Sequence, residues 1–195
     1  MPRSAHKSPR PDPQGQVRII GGEWRGRKLP VPDAEGLRPT PDRVRETLFN
    51  WLQFQLPGRR CLDAFTGSGA LAAEALSRGA SSVTAVERDP RVAKQLRELL
   101  SPLAGERLQL VNADVCHWLQ TQPVEPFSLV FLDPPFQAGL LQPVAELLES
   151  GGWLTADALI YVEQARHGEA VQLPTDWQLQ KEKQAGEVQF SLYAR

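Results

Sequence analysis

The chain has 195 residues, 41% of them hydrophobic, and a formal net charge of −1, enough for one domain with a real core. No run approaches about 18 apolar residues and no N-terminal apolar stretch is present, so neither a membrane span nor a signal peptide is expected. The two cysteines, Cys61 and Cys116, show no ligand spacing with histidine, so no metal is expected, and they read as reduced core thiols of a cytoplasmic protein. The small net charge conceals a polarised chain: residues 1–60 carry twelve Lys/Arg against six Asp/Glu, and residues 61–195 carry ten against seventeen. A basic arm on an acidic domain suits a polyanionic partner.

Residues 1–16 hold Pro2, Pro9, Pro11 and Pro13 among scattered basic residues, a composition that predicts a disordered basic tail. Residues 17–37 read as a β-hairpin, with strands at 17–20 and 28–31 and a Gly21-Gly22 turn region. The domain proper spans 38–195. Thr40 is a good N-cap, Pro41 fits the first helical position and Asp42 suits the positive end of a helix. Val44, Leu48, Trp51 and Leu52 recur at helical spacing. Strands and helices then alternate: strand 60–65, helix 69–78, strand 82–87, helix 90–100, strand 107–112, helix 114–120, strand 127–132, helix 138–149 and strand 157–163. Such alternation implies an α/β fold with a parallel sheet covered on both faces. Segments 177–180 and 188–193, separated by Gly186, read as a closing antiparallel hairpin. His117 and Trp118 fall on a predicted helix and read as surface or packing residues.

Two motifs carry chemistry. Asp63 lies inside the first strand of the alternation, four residues before Gly67, and Thr66-Gly67-Ser68-Gly69 leads into the helix formers from Ala70 to Leu76. Glycines there permit positive backbone angles and close approach of a ligand to the main chain, and a helix N-terminus offers unpaired N–H groups. The run also satisfies the dinucleotide pattern G-x-G-x-x-G/A. Glu87 lies twenty residues beyond Gly67, the spacing of an acid that accepts hydrogen bonds from ribose hydroxyls. Asp114, after another apolar run, suits either an adenine amine or the N-cap of the next helix. Asp63 separates two cofactors. A dinucleotide has no cation for a carboxylate at that position, whereas the ammonium group of S-adenosylmethionine needs one. The second motif is Asp133-Pro134-Pro135-Phe136, which stops the apolar strand 127–132 because proline cannot donate to the ladder. This stiff corner presents a carboxylate, a free carbonyl and an aromatic face, the groups that hold a planar amine. Ligands of open α/β sheets sit at the carboxyl ends of the strands, so turn and corner are expected to share one cleft.

The glycine turn together with the proline corner resembles class I S-adenosylmethionine-dependent methyltransferases that act on exocyclic amines. The segments Arg18–Leu29 and Leu37–Leu52, with Arg38-Pro39-Thr40 at the helix start, closely resemble the RsmD family of bacterial 16S ribosomal RNA (guanine-N2)-methyltransferases over about residues 17–195. The resemblance implies a Rossmann-like, seven-stranded, mostly parallel sheet with a reversed last strand, preceded by the hairpin. It implies S-adenosyl-L-methionine held by Asp63, Phe65, Thr66, Gly67, Ser68, Gly69, Glu87, Arg88, Ala113 and Asp114. Asp133, Pro134, Pro135 and Phe136 become the catalytic corner. The hairpin becomes the RNA arm: Arg18, Arg25, Arg27 and Lys28 meet phosphates, Trp24 stacks on a base or packs against the sheet, and Arg38 and Thr40 line the cleft. The implied partner is 16S rRNA in the small ribosomal subunit or its assembly intermediate, met by a monomer with no obligate protein partner. Three other readings stay open: a DNA adenine-N6 methyltransferase using the same corner, an NAD-linked oxidoreductase, and a non-catalytic RNA-binding module on a methyltransferase fold.

Overall fold

The computed structural model describes residues 15–32, 40–168 and 170–195. Residues 1–14 of the basic tail, and Arg38 with the 33–39 segment, lie outside the described residues. Two short strands, β1 (Gln16–Arg18) and β2 (Lys28–Pro30), pair antiparallel as the expected hairpin. The remaining elements are α1 (Asp42–Leu52), β3 (Arg60–Asp63), α2 (Ala70–Ser77), β4 (Ser82–Glu87), α3 (Pro90–Ala104), β5 (Leu108–Asn112), α4 (Val115–Thr121), β6 (Phe127–Leu132), α5 (Leu141–Ser150), β7 (Leu154–Ala165), β8 (Gln178–Ala185) and β9 (Val188–Ala194). Strands β3 to β9 form one sheet in the order β5-β4-β3-β6-β7-β9-β8. The β3–β4, β3–β6, β4–β5 and β6–β7 pairs are parallel, and β9 runs antiparallel to both neighbours. This is the expected seven-stranded sheet with a reversed last strand.

Two apolar layers cover the sheet. One contains Leu48, Phe49 and Leu52 of α1 with residues of α2 and α3. The other contains Val115, Trp118 and Leu119 of α4 with Val144, Ala145 and Leu148 of α5. Leu48, Phe49 and Leu52 are fully buried, and each such side chain stabilises the fold by roughly 1.5–3 kcal/mol as an upper estimate. Trp118 packs on Trp153, ring centroids 5.1 Å apart.

Several boundaries differ from the sequence reading. α3 runs past Pro102 to Ala104, whose burial with Leu100 offsets the missing backbone donor. α5 starts at Leu141 rather than 138, because Gly139 takes a left-handed φ of 62° after a short 3-10 turn at Phe136–Ala138. β7 begins three residues early; its register against β6 shifts between Phe127 and Leu129, and Asp157 in the irregular stretch is exposed. β8 is longer than the predicted 177–180, and its exposed Lys181, Glu182 and Lys183 charge an edge strand against further pairing. Thr40 does not cap α1: Pro41 occupies the N-cap position and no side chain closes the helix end.

The hairpin docks on α2 through one carboxylate. Glu74, fully buried, accepts the N–H groups of Ile20 and Gly21, each at 2.8 Å. It also accepts Arg78 Nε at 2.7 Å and faces Arg45 Nη1 at 3.5 Å. Arg45, also fully buried, donates from Nη2 to the Arg18 carbonyl at 3.0 Å. Gly22 makes this approach possible, since a Cβ there would stand 1.9 Å from the Ser77 carbonyl oxygen. Trp24 is buried, donating its backbone N–H to Ser77 Oγ at 2.9 Å, with the Arg107 guanidinium 5.5 Å from its ring centroid.

Candidate active site

The order in which strands join the sheet reverses between β3 and β6, which are parallel neighbours with Asp63 opposite Phe131. Their carboxyl ends therefore open one crevice at the switch point. The glycine turn follows β3 and the proline corner follows β6, so the two motifs meet as the sequence suggests.

On the turn side, Asp63 is buried and its Oδ2 accepts Thr66 Oγ1 at 2.9 Å and the Ala72 N–H at 3.1 Å. Both bonds use one oxygen, and among the described residues Oδ1 takes no hydrogen bond. Burial raises the Asp63 carboxyl to about 7, and the charge of Asp133 adds to the rise. A carboxylate so placed gains from a cationic ligand group, which offsets its desolvation. Gly67 has φ 49° and a Cβ there would meet nothing closer than the Phe65 carbonyl at 3.8 Å, so its main chain borders open space. Gly69, at φ 75°, precedes α2, and a Cβ there would press on Leu96 at 2.8 Å. Thr66 and Ser68 are buried and Phe65 is half-buried.

Glu87 is half-buried at the end of β4. Its Oε2 accepts the Gly67 N–H at 3.1 Å and its Oε1 the Asp89 N–H at 2.8 Å, which fixes the carboxylate beside the turn. Burial raises its pKa against these two bonds. Asn112 Nδ2 donates to the carbonyls of Glu87 and Arg88 at 2.8 and 3.0 Å, and the Ala113 N–H donates to Glu87 at 3.1 Å. The ends of β4 and β5 are thus tied together, with the Arg88 side chain exposed. Asp114 caps α4, its Oδ1 accepting the His117 N–H at 3.1 Å.

On the corner side, Thr40 Oγ1 donates to Asp133 Oδ2 at 3.2 Å. The hydroxyl that the sequence offers as a helix cap orients the corner carboxylate instead. Burial raises the Asp133 carboxyl and the Thr40 bond lowers it. Phe136 stands 44% exposed on its short turn. Pro134, Pro135 and Phe136 border a cavity of about 450 Å³. Glu163 of β7 lines the same cavity and is buried. The sequence reading passes over it, although it closes the predicted strand 157–163 with an acid just as Glu87 closes the predicted strand 82–87.

The arm residues divide. Arg18, Arg25, Arg27 and Lys28 are exposed. Trp24 is the packing residue of the two alternatives, since its buried ring leaves no face for stacking on a base. Thr40 is buried beside Asp133 rather than displayed on the surface. Among the described residues, no helix is long and apolar enough to cross a membrane.

The family model Conserved hypothetical protein 95 matches residues 17–194. The ribosomal RNA small subunit methyltransferase D of Escherichia coli strain K12 is 50% identical over 189 residues, 97% of this chain and 95% of that protein. The protein of the same name from Haemophilus influenzae is 47% identical over 186 residues, covering 94% of this chain and 96% of the relative. A solved E. coli structure described as a methyltransferase superposes with a TM-score of 0.86 at 49% identity, covering 93% of this chain and 98% of that one. The chain belongs to the Conserved hypothetical protein 95 family, that of the ribosomal RNA small subunit methyltransferase D proteins.

Proposed function

We propose that the protein transfers a methyl group from S-adenosyl-L-methionine to the exocyclic N2 amine of a guanine in 16S rRNA of the small ribosomal subunit, acting in the cytoplasm. The observation that carries this reading is the meeting of the glycine turn and the proline corner over β3 and β6, in a chain 50% identical to a small-subunit rRNA methyltransferase. Bound in the crevice, S-adenosylmethionine supplies a methyl group already activated by its sulfonium. The residues fit it. Asp63 Oδ1 is placed for the ammonium group, the open main chain at Gly67 for close approach, and Glu87 for the ribose hydroxyls. NAD would leave buried Asp63 facing no cation.

The amine is the harder partner, because its lone pair is delocalised into the ring. Asp133, oriented by Thr40, accepts one N–H, and the Pro134 carbonyl accepts the other. These bonds draw the nitrogen towards tetrahedral geometry and aim its lone pair. Phe136 stacks on the base, contributing roughly 1–3 kcal/mol towards holding it out of its own stack. The nitrogen gains a methyl group and loses one proton, received by Asp133 or water. Fixed geometry and exclusion of solvent then supply most of the rate. Arg18, Arg25, Arg27 and Lys28 contact phosphates along the arm.

The test is methyl transfer from labelled S-adenosylmethionine to small subunits from cells lacking this gene, to their stripped 16S RNA and to duplex DNA, followed by nucleoside analysis. Label in N2-methylguanosine at one RNA site is the expected result. Label in DNA adenine, or none in any substrate, overturns the proposal. In parallel, S-adenosylhomocysteine should raise the melting point, since a hundredfold excess over Kd stabilises by about 2.7 kcal/mol. A shift with NAD alone would refute the cofactor.

A further inference from the structure

Glu163 has no part in the mechanism above, yet it stands at its centre. Leu132 pairs with Val162 across β6 and β7, which sets Asp133 and Glu163 side by side at the carboxyl ends of these strands. Glu163 is 3% exposed, and what it exposes borders the cavity that Pro134 and Phe136 also line. Tyr161 Oη donates to its Oε2 at 2.8 Å. Its Oε1 takes no hydrogen bond among the described residues and is not one of their buried unpartnered atoms, so it keeps access to the cavity and can accept from a ligand there. Two acidic acceptors therefore sit next to one another beside an exposed aromatic face.

We infer that Glu163 sets base specificity by accepting the N1–H of the target guanine through Oε1. The inference rests on the guanine-N2 reading above and extends it to the neighbouring ring position. Guanine presents two adjacent donors along this edge, the N2 amine and N1–H, which match the Asp133–Glu163 pair. Adenine presents an amine beside a bare N1 acceptor, and that N1 against Glu163 would oppose two acceptors. Burial and the charge of Asp133 raise the Glu163 carboxyl. Tyr161 donates to Oε2, which leaves Oε1 as the acceptor that faces the base.

Glu163→Gln reverses the polarity at constant size. Its amide oxygen keeps the Tyr161 bond and its NH₂ faces the cavity as a donor. The substrate pair is small subunits carrying either guanine or 2-aminopurine at the labelled site. 2-Aminopurine keeps the 2-amino group but has a bare N1. Wild type should prefer guanine. E163Q should shift the guanine to 2-aminopurine ratio of kcat/KM towards 2-aminopurine by roughly tenfold to a hundredfold, the range of a hydrogen-bonded base edge. Quenching of 2-aminopurine fluorescence on binding, read without turnover, should favour E163Q in the same direction. Glu163→Ala, lacking both acceptor and donor, should lie between the two and serves if the glutamine variant is misfolded. An unchanged ratio in folded variants that still form N2-methylguanosine overturns the assignment. Failure of wild type to form N2-methylguanosine instead overturns the reading on which it rests.

Discussion

Glu74→Ala should release the arm from the domain at a large cost in stability. The carboxylate is the acceptor for two backbone N–H groups of the arm and for Arg78, and it faces the fully buried Arg45. Alanine leaves the Ile20 and Gly21 donors unpaired in a partly buried place, at about 1–3 kcal/mol each in the worst case. It also leaves Arg45 short of a counter-charge; breaking a buried pair from one side costs about 3–5 kcal/mol. Arg45 retains Asp42 and the Thr40 carbonyl, and the unpinned arm regains water for its donors, so the effects do not add. A net loss of roughly 3–5 kcal/mol is expected, a large fraction of the 5–15 kcal/mol that holds a typical domain together. Urea unfolding followed by tryptophan fluorescence measures it, and limited proteolysis between Arg18 and Lys28 should accelerate in parallel. Ser77→Ala, which removes the bonds to the Gly21 carbonyl and the Trp24 N–H, should cost only about 1–2 kcal/mol. A Glu74→Ala loss below about 1 kcal/mol, with the arm as protease-resistant as in wild type, would refute the account of arm docking.

Three further outcomes concern the site. Asp133→Ala should abolish methyl transfer while S-adenosylhomocysteine still raises the melting point; turnover at the wild-type rate would remove Asp133 from the chemistry. The acid limb of kcat/KM should lie well above the ordinary Asp range, at about 6, because ionised Asp133 is the stronger acceptor for the amine and the form that can receive its proton. The rate then falls as pH drops through that value and levels off above it. Glu163 and Asp63 face the same carboxylate, so the limb belongs to the cluster rather than to one residue; a limb near pH 4 would contradict the burial argument. Charge reversal of Arg25, Arg27 and Lys28 should weaken RNA binding and flatten its salt dependence by about one unit of slope for each phosphate that is no longer neutralised. An unchanged slope would take the arm out of RNA binding.

The parts of the site legible in the sequence are those written in local chain chemistry. Gly67 and Gly69 need positive backbone angles, Glu87 stands at a fixed spacing from them, and the prolines after Asp133 end a strand by removing donors. Each signal lies within one strand–turn or strand–helix–strand unit, and the turn, the acid and the corner are found where these signals put them. The errors come from partners far apart in sequence. Thr40 carries the right side chain for a cap, but its hydroxyl meets Asp133, 93 positions away. Trp24, which sequence leaves open between stacking on a base and packing, is settled as packing only where Gly22 brings it against α2, with Ser77 accepting its backbone N–H and Arg107 beside its ring.

Glu163 shows where the two kinds of information meet. Its position at the end of an apolar strand is the same local signal as Glu87 and Asp133, so the acid itself is visible. What sequence does not contain is the strand order that puts β7 next to β6. Placed at an edge of the sheet, an acid at the end of β7 would be a solvated surface group. Placed beside β6, it is a nearly buried acid next to Asp133 that lines the cavity, where burial disfavours its charge. The fold does not require an acid here, since Gln or Met would fill the same volume without the burial cost that raises the Glu163 carboxyl. The acid is therefore best explained by a group that arrives from outside the chain carrying a donor, and in the reaction proposed here that group is the Watson–Crick edge of the base.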